Sequence, residues 1–303
     1  MFEKTRTYCL GRIQVNLPLE AQLMGQGNKY QGREIDSERM GWPDFQKLVE
    51  ERRALWKEGS VQRYTFDKEI PIGERGFIFT GRKKNIRSTS CGVETLKWDK
   101  LHAFKTFDTA YSPDKIDGLL EEFSTTVRNL RQRDEWDIPT EPGFCIVDGF
   151  IPDDEDTTMY ESATARFFLK GYPGVWITIR TSLQYRNDPS LLERLKGWDD
   201  KFPGKVKRLR KGKATYNDMP GEESLETIPS DDKTGIAHLF IWETPGEIDI
   251  PAKPYIQVSI TTGGDDSNIT LPSPLETKDA LKLYEVVMQG LRVRPVERKP
   301  EPK

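Results

Sequence analysis

Apolar and polar positions follow the same order in two separate stretches of this chain. In residues 8–18 and again in residues 143–152, a cysteine opens an apolar run that stops at a proline. Runs of Ile, Val, Leu and Phe of this length are typical of strands, and proline ends them because it cannot donate to a strand ladder. We therefore predict that one structural unit occurs twice.

Each half also closes with an amphipathic helix. After Ser112-Pro113, one helical face is marked by Ile116, Leu119, Leu120, Phe123, Val127 and Leu130. After Ser273-Pro274, the same spacing is marked by Ala280, Tyr284, Val287 and Leu291. The interval from the serine to the last leucine is 18 residues in both halves, and both helices end in Leu-Arg-x-Arg. Matching intervals of this kind favour an internal duplication.

Short apolar runs and alternating positions between these elements predict antiparallel strands. They occupy residues 61–72, 76–81, 90–98 and 101–107 in the first half, and 165–169, 175–182, 206–209, 236–242 and 255–261 in the second. Helical spacing after Pro43 and in residues 191–202 adds a helix to each half. The polar run 216–234 is predicted to be an extra surface loop of the second half.

This order predicts an α+β fold made of two similar, duplicated domains, each an antiparallel sheet with helices packed on one face. The N-terminal domain would span residues 1–138 and the C-terminal domain residues 139–295, a division that agrees with the usual domain size of about 150 residues. The remaining residues, 296–303, are expected to form a disordered tail.

The charge balance narrows the classes of partner. The chain has 46 Lys and Arg against 49 Asp and Glu, a formal net charge of −3, which predicts no bulk attraction to nucleic acid. No run approaches the roughly 20 apolar residues that span a bilayer, so no stable membrane insertion is expected. The N-terminus lacks the apolar core of a signal peptide, which predicts either a cytosolic protein or a chain that starts after a removed leader.

Candidate catalytic residues are scarce. The chain has two histidines, and His238 lies in the apolar run IAHLFIW, where a core position is the favoured interpretation. No nucleophile elbow, zinc-protease motif, Walker loop or dinucleotide fingerprint occurs. The adjacent carboxylates Glu222-Glu223 are expected to be solvated. The sequence therefore predicts a protein that is not an enzyme and needs no cofactor or metal, although a hydrolase that uses carboxylates in a cleft between the domains remains the alternative.

The three cysteines, Cys9, Cys91 and Cys145, are too few and too far apart for a zinc site. They allow at most one disulfide. Cys9 and Cys91 lie in the same repeat and are the predicted pair in an oxidising compartment, with Cys145 as a small buried apolar residue. The alternative is that all three thiols are free and buried.

Several motifs occur in a fixed order along the chain. They are the run Cys9–Pro18, GFCIVDGFI at 143–151, Leu209-Arg210-x-Gly212, Gly221-Glu222-Glu223, Phe240-x-Trp242-Glu243, Pro254-Tyr255-Ile256 leading to Thr262-Gly263, and Leu291-Arg292-Val293-Arg294-Pro295. In this order they resemble one family, the immunity proteins of class-four phospholipase effectors of the type VI secretion system. The resemblance covers nearly the whole chain.

The resemblance implies an immunity protein of bacterial competition that binds and inhibits its cognate phospholipase effector. It further implies that two domains clasp the effector and prevent its activation on lipid. A periplasmic location is also implied, because the effector is delivered there. A periplasmic protein needs a leader, and the sequence shows none. The resemblance therefore predicts a chain that has been trimmed at its N-terminus.

Aromatic residues outside the core stripes, with charged neighbours, are the candidates for contact with the effector, because aromatic and arginine side chains anchor inhibitor interfaces. They are Tyr30, Arg33, Trp42, Tyr111, Tyr185, Arg186, Lys213 and Tyr216. Each aromatic residue has the alternative role of a half-buried loop anchor, because isolated surface aromatics are ordinary.

Overall fold

The computed structural model of the chain describes residues 1–61, 64–83, 90–110, 115–154, 160–197, 206–264 and 269–297. The chain folds into two compact units. The larger unit contains Met1–Gly27, Trp136–Pro142 and Glu155–Lys303, and the smaller unit contains Asn28–Glu135 and Gly143–Asp154. No helix in the described ranges is long and apolar enough to cross a membrane.

The elements run in the following order: β1 (Thr5–Leu10), β2 (Ile13–Pro18), β3 (Ala21–Tyr30), β4 (Arg33–Glu34), β5 (Asp36–Arg39), α1 (Trp42–Glu58), β6 (Tyr64–Pro71), β7 (Gly76–Lys83), β8 (Cys91–Asp99), β9 (His102–Ala110), α2 (Ile116–Asn129), β10 (Arg131–Gln132), β11 (Gly143–Ile146), β12 (Gly149–Pro152), β13 (Ser162–Leu169), β14 (Trp176–Ser182), α3 (Leu191–Arg194), β15 (Lys207–Tyr216), β16 (Met219–Pro229), β17 (Ile236–Thr244), β18 (Tyr255–Thr261), α4 (Thr277–Gly290) and β19 (Arg292–Val293). The strand pairs among the described residues are antiparallel, and together with the helices they confirm the α+β class.

The larger unit contains a large sheet in the strand order β15-β16-β17-β18-β14-β13-β3 and a small sheet in the order β1-β2-β19. Helix α4 buries Leu283, Tyr284 and Val287. Its last residue, Gly290, lies so close to β2 that an added Cβ would be 2.3 Å from the Cβ of Asn16. Glycine is therefore required where this helix meets the N-terminal hairpin.

The smaller unit contains a sheet in the order β5-β9-β8-β7-β6. Helix α1 packs Phe45 and Trp56 with Phe79 of β7, whereas helix α2 packs Phe123 with Ile78 of the same strand. Successive residues of a strand point to opposite faces, so the two helices cover opposite faces of this sheet. The prediction of helices on one face is wrong for this unit, because both alternating sets of positions in β7 are apolar.

Two small three-stranded sheets have the same register. In one, Leu10 pairs with Ile13, and Val293 of β19 also pairs with Ile13. In the other, Ile146 pairs with Gly149, and Gln132 of β10 also pairs with Gly149. The arginine after each closing strand then donates its backbone N–H to a residue of the hairpin turn, Arg133 to Asp148 and Arg294 to Arg12, both at 2.9 Å. These parallels are what a duplication predicts, and the duplication itself stays a prediction.

Each hairpin belongs to the compact unit that is formed mainly by the other half of the chain, and not to the contiguous domain in which it was predicted. The β1-β2 hairpin belongs with residues 155–303, and the β11-β12 hairpin belongs with residues 28–135. The division into 1–138 and 139–295 therefore differs from the compact units, because each strand that follows a closing helix pairs with the hairpin from the other half. Of the predicted tail, Glu297 donates its backbone N–H to Thr140 at 2.7 Å, and residues 298–303 lie outside the described residues.

The polar run 216–234 is not the extra loop that its composition predicts. Most of it forms β16, which is paired on both sides, with β15 and with β17. Its acidic residues Glu223 and Glu226 are buried. Glu223 accepts hydrogen bonds from Tyr216 and Tyr284, and Glu226 accepts one from Ser224. Polar composition misled the prediction because these carboxylates are satisfied inside the sheet.

Candidate partner-binding site

A groove of about 720 Å³ lies at one end of the large sheet of the larger unit. Ser182 at the end of β14 and Tyr255 at the start of β18 pair with each other on its lining. Glu243 near the end of β17 and Lys213 near the end of β15 also line it. The groove therefore crosses the ends of neighbouring strands, and the segment that includes α3 forms a further wall.

Glu243 is the buried carboxylate of this groove. The Nη2 of Arg194 lies 2.7 Å from both of its oxygens, and Gln257 donates to it at 2.6 Å. Burial lowers the pKa of Arg194, but the hydrogen bond and charge of Glu243 outweigh burial and raise it. Burial, reinforced by the charge of Glu243, raises the pKa of Tyr255, so this phenol stays neutral. The groove floor is a fixed polar network.

Helix α3 is anchored to the sheet by a second carboxylate. Glu222 lies directly opposite Glu243 in the β16-β17 pair and accepts the backbone N–H of Leu192 at 2.8 Å. Ser190 caps the helix through a capping box with Glu193, in which each side chain accepts a backbone N–H of the other residue. Glu222 and Glu243 are like charges that face each other, so they repel. The backbone N–H of Leu192 binds Glu222 and the guanidinium of Arg194 binds Glu243, and these two contacts from α3 offset the repulsion.

The rim of the groove is aromatic and cationic. Tyr160 and Tyr185 are 40% and 59% exposed, and their rings meet edge to face with 5.9 Å between centroids. Arg186 lies over Tyr185 and forms an ion pair with Asp188 at 2.9 Å. Lys213 is exposed and has no ion pair in the described part of the chain. The structure thus brings together three predicted contact residues, Tyr185, Arg186 and Lys213.

The other predicted contact residues lie elsewhere. Tyr30 is buried and donates its hydroxyl to Asp153 at 2.9 Å. Arg33 is buried between Asp108 and Glu122, each at 2.7 Å. Tyr30 therefore has the alternative role of an anchor, although it is fully buried, and Arg33 is an internal ion-pair partner in the smaller unit.

Trp42 and Tyr216 are also held by neighbouring side chains. Trp42 stacks on Phe45 and packs against Trp98 at the start of α1. Tyr216 packs edge to face on Trp242 and donates its hydroxyl to Glu223 at 3.0 Å. Tyr111 lies outside the described residues.

The cysteine pairing differs from the prediction. Cys9 and Cys145 are the disulfide-bonded cysteines, whereas Cys91 is a buried thiol outside any disulfide, and burial raises its pKa. A Cys9–Cys91 disulfide is therefore wrong. That pairing assumed that both cysteines share one folded unit, but the β1-β2 hairpin that contains Cys9 belongs to the larger unit, and Cys91 packs beneath α2 in the smaller one.

His238 is a satisfied core histidine, as its apolar neighbours predict. It is buried, and its Nδ1 and Nε2 lie 2.8 and 3.1 Å from the hydroxyl oxygens of Thr262 and Thr277. Burial lowers its pKa. Sequence reasoning missed Arg194, Glu222, Glu243 and Tyr255 as groove residues. The Ser190–Glu193 capping-box spacing is a readable signal for the helix that contains Arg194.

The lowered pKa of His238 predicts a dependence of stability on pH. The unfolded chain protonates this histidine below about pH 6.5, and the folded chain does so only at lower pH. The free energy of unfolding should therefore fall as the pH decreases from about 6.5 towards the folded-state pKa. In urea unfolding at several pH values, His238→Gln should show a shallower fall than the natural protein. An unchanged slope would show that another group is responsible.

Residues 137–296 match the family model described as the Tle cognate immunity protein 4 C-terminal domain. The apo structure of the immunity protein TplEi of the type VI secretion system from Pseudomonas aeruginosa is 25% identical, with a TM-score of 0.83, and the match covers 97% of this chain and 98% of that one.

A chain in the crystal structure of the Tle4-Tli4 complex is 24% identical over 98% of this chain and 100% of its own, with a TM-score of 0.83. TplEi from Pseudomonas aeruginosa in complex with an "L" peptide is 24% identical over the same shares, with a TM-score of 0.81. None of the curated proteins compared with the chain matches it. The solved structures share the fold over almost their whole length.

Proposed function

We propose, from the premise that this chain belongs to the Tle cognate immunity protein 4 family, that it binds and inhibits a cognate phospholipase effector of a type VI secretion system. The family match over residues 137–296 is the observation that carries the proposal. All groove residues, from Tyr160 to Tyr255, lie inside the matched range.

The chemistry of the groove supports binding. Tyrosine and arginine are enriched at protein interfaces, and the rim presents Tyr160, Tyr185 and Arg186 around a preorganised floor. The hydrolase alternative uses carboxylates in a cleft between the domains. Within this groove of the larger unit, the three described carboxylates that line it are engaged, Glu243 by Arg194 and Gln257, Glu222 by the backbone of α3, and Asp188 by Arg186. We therefore infer that the protein acts by association.

The proposed location is the periplasm, where such an effector would be delivered. A disulfide is expected to persist in an oxidising compartment and is rare in the cytosol. The disulfide-bonded state of Cys9 and Cys145 supports this location. The clasp of the effector by two domains stays a prediction, and the groove of the larger unit is the surface that we propose for at least one of the contacts.

The test is to mix the purified protein with the purified effector encoded beside it and to measure binding by calorimetry and inhibition by lipid hydrolysis. Tyr185→Ala should raise the Kd about thirtyfold or more, because an exposed aromatic anchor at an interface contributes about 2 kcal/mol or more. The matched control is Met24→Ala, since Met24 is also 59% exposed but lies on β3, outside the groove lining.

Equal affinity of the Tyr185 and Met24 variants would show that the groove is not the contact surface. Failure of the natural protein to bind or inhibit the effector would overturn the proposed function itself.

A further inference from the structure

Strand β15 is the terminal strand at one edge of the large sheet. Within the described part of the chain its ladder partner is β16 alone. An edge strand carries backbone N–H and C=O groups that can pair with an added strand. Such an edge either is protected or serves as a binding surface.

The hairpin turn determines which backbone groups of β15 face outward. Asn217 and Asp218 have φ values of 48° and 64°, as a two-residue type I′ turn requires. Its closing pair, Tyr216 with Met219, is then hydrogen-bonded, and the pairs alternate along the strand. Lys211, Lys213 and Thr215 therefore direct their backbone groups away from β16, towards the edge of the sheet.

The same edge is strongly basic. Residues 207–213 contain five cationic side chains, and residues 207–216 contain no acidic one. Arg210 is neutralised by Glu223 at 2.6 Å, but Lys207, Lys211 and Lys213 form no ion pair with any described residue. This charge, together with the bulge between Arg208 and Arg210, opposes pairing with the same edge of a second copy. An acidic strand would not be repelled.

The basic edge continues into the groove. Lys211 and Lys213 are two residues apart, so their side chains share one face of the strand, and Lys213 lines the groove. Between them, Gly212 has no side chain, and a Cβ at its position would meet nothing within 4 Å. The face of the strand opposite the two lysines is therefore also open at this point.

We infer that β15 binds an extended acidic segment of the effector by strand addition. The segment pairs with the outward backbone groups of Lys211, Lys213 and Thr215. Its carboxylates, at alternate positions, face the two lysines, and the chain then continues to the tyrosine rim of the groove. Backbone pairing supplies the direction and register of binding, and charge supplies the selectivity. This inference rests on the proposed function and specifies the class of polypeptide that the surface recognises.

Hydrogen exchange of the natural protein, with and without the purified effector, tests the inference directly. Strand addition should slow exchange of the amides of Lys211, Lys213 and Thr215 in the complex. Protection of residues 182–190 without protection of these amides would overturn it and leave the groove as the contact. Absence of any complex would instead overturn the proposed function, so the two failures are distinguishable.

Two matched variants separate backbone pairing from charge. Thr215→Pro removes an outward N–H from an uncharged residue, and proline is tolerated where an edge strand faces solvent. It should weaken effector binding about tenfold relative to Thr215→Ala, because it removes one directional hydrogen bond of the added strand. Lys211→Gln/Lys213→Gln should lower the association rate about tenfold and reduce its salt dependence.

Equal affinity of Thr215→Pro and Thr215→Ala, with both variants folded by circular dichroism, would contradict strand addition. If Thr215→Pro does not fold, the exchange experiment on the natural protein decides. Vesicles that contain one quarter phosphatidylglycerol are the remaining probe. Binding to these vesicles that the double lysine variant abolishes, without amide protection by the effector, would show that the edge binds a lipid surface instead.

Discussion

Expressed separately, residues 1–138 and residues 139–303 should each fail to give a cooperatively folded protein. The first fragment retains the β1-β2 hairpin but lacks residues 155–303, with which that hairpin folds. The second fragment contains α4 and β19 without their partner β2. The apolar face of α4 would therefore be exposed in the second fragment, and the apolar face of the β1-β2 hairpin in the first. Circular dichroism and urea unfolding of each fragment measure the effect.

Mixing or co-expressing the two fragments is the control, and it should restore the unfolding transition if the missing hairpins cause the loss. A fragment that unfolds cooperatively by itself would contradict the prediction. Loss of inhibition by either fragment would therefore carry no information about a clasp by two domains. A test of the clasp has to use surface substitutions in the intact chain.

Arg12→Ala should destabilise the protein by about 3–5 kcal/mol, because it leaves a buried carboxylate without its counter-ion. The Nε and Nη2 of Arg12 lie 2.6 and 2.8 Å from the two oxygens of Glu161, and both side chains are 2% exposed. This pair holds the turn of the N-terminal hairpin against the start of β13 inside the larger unit. Urea unfolding at neutral pH is the measurement.

The double variant Arg12→Met/Glu161→Leu separates charge from packing. Replacement of a buried ion pair by apolar residues of similar volume is often close to neutral, so this variant should be more stable than Arg12→Ala. A loss of less than about 1 kcal/mol in Arg12→Ala would show that Glu161 finds another partner or is solvated there.

Part of the candidate site could be predicted from the sequence. Tyr185, Arg186 and Lys213 lie outside every core stripe, and the structure places them on the lining of one groove. Tyr30 and Arg33 have equally polar neighbours in the sequence and are nevertheless buried. Local composition cannot separate these cases, because their burial depends on partners such as Asp153 and Glu122, which lie far away along the chain.

The groove floor could not be predicted in this way. Glu243 and Glu222 lie on different strands, and Arg194 on a short helix between β14 and β15. Strand register sets one carboxylate opposite the other, and the packing of α3 brings the guanidinium of Arg194 within 2.7 Å of Glu243. A sequence shows each charge but not the pairing that neutralises it.

The sequence by itself determined the local elements. The 3.6-residue period of α2 and α4 and their Leu-Arg-x-Arg ends are recorded in neighbouring residues, and these two helices form as predicted. Each proline-terminated run, predicted as one strand, instead contains two paired strands, because a turn interrupts it after Leu10 and after Ile146. Only the tertiary structure decided which hairpin joins which unit, which cysteines are bonded and which faces the helices cover. The physical reason is that the strand after each closing helix pairs with a hairpin in the same register in both small sheets. Local pattern therefore allows either pairing, and packing over more than a hundred residues of chain selects one.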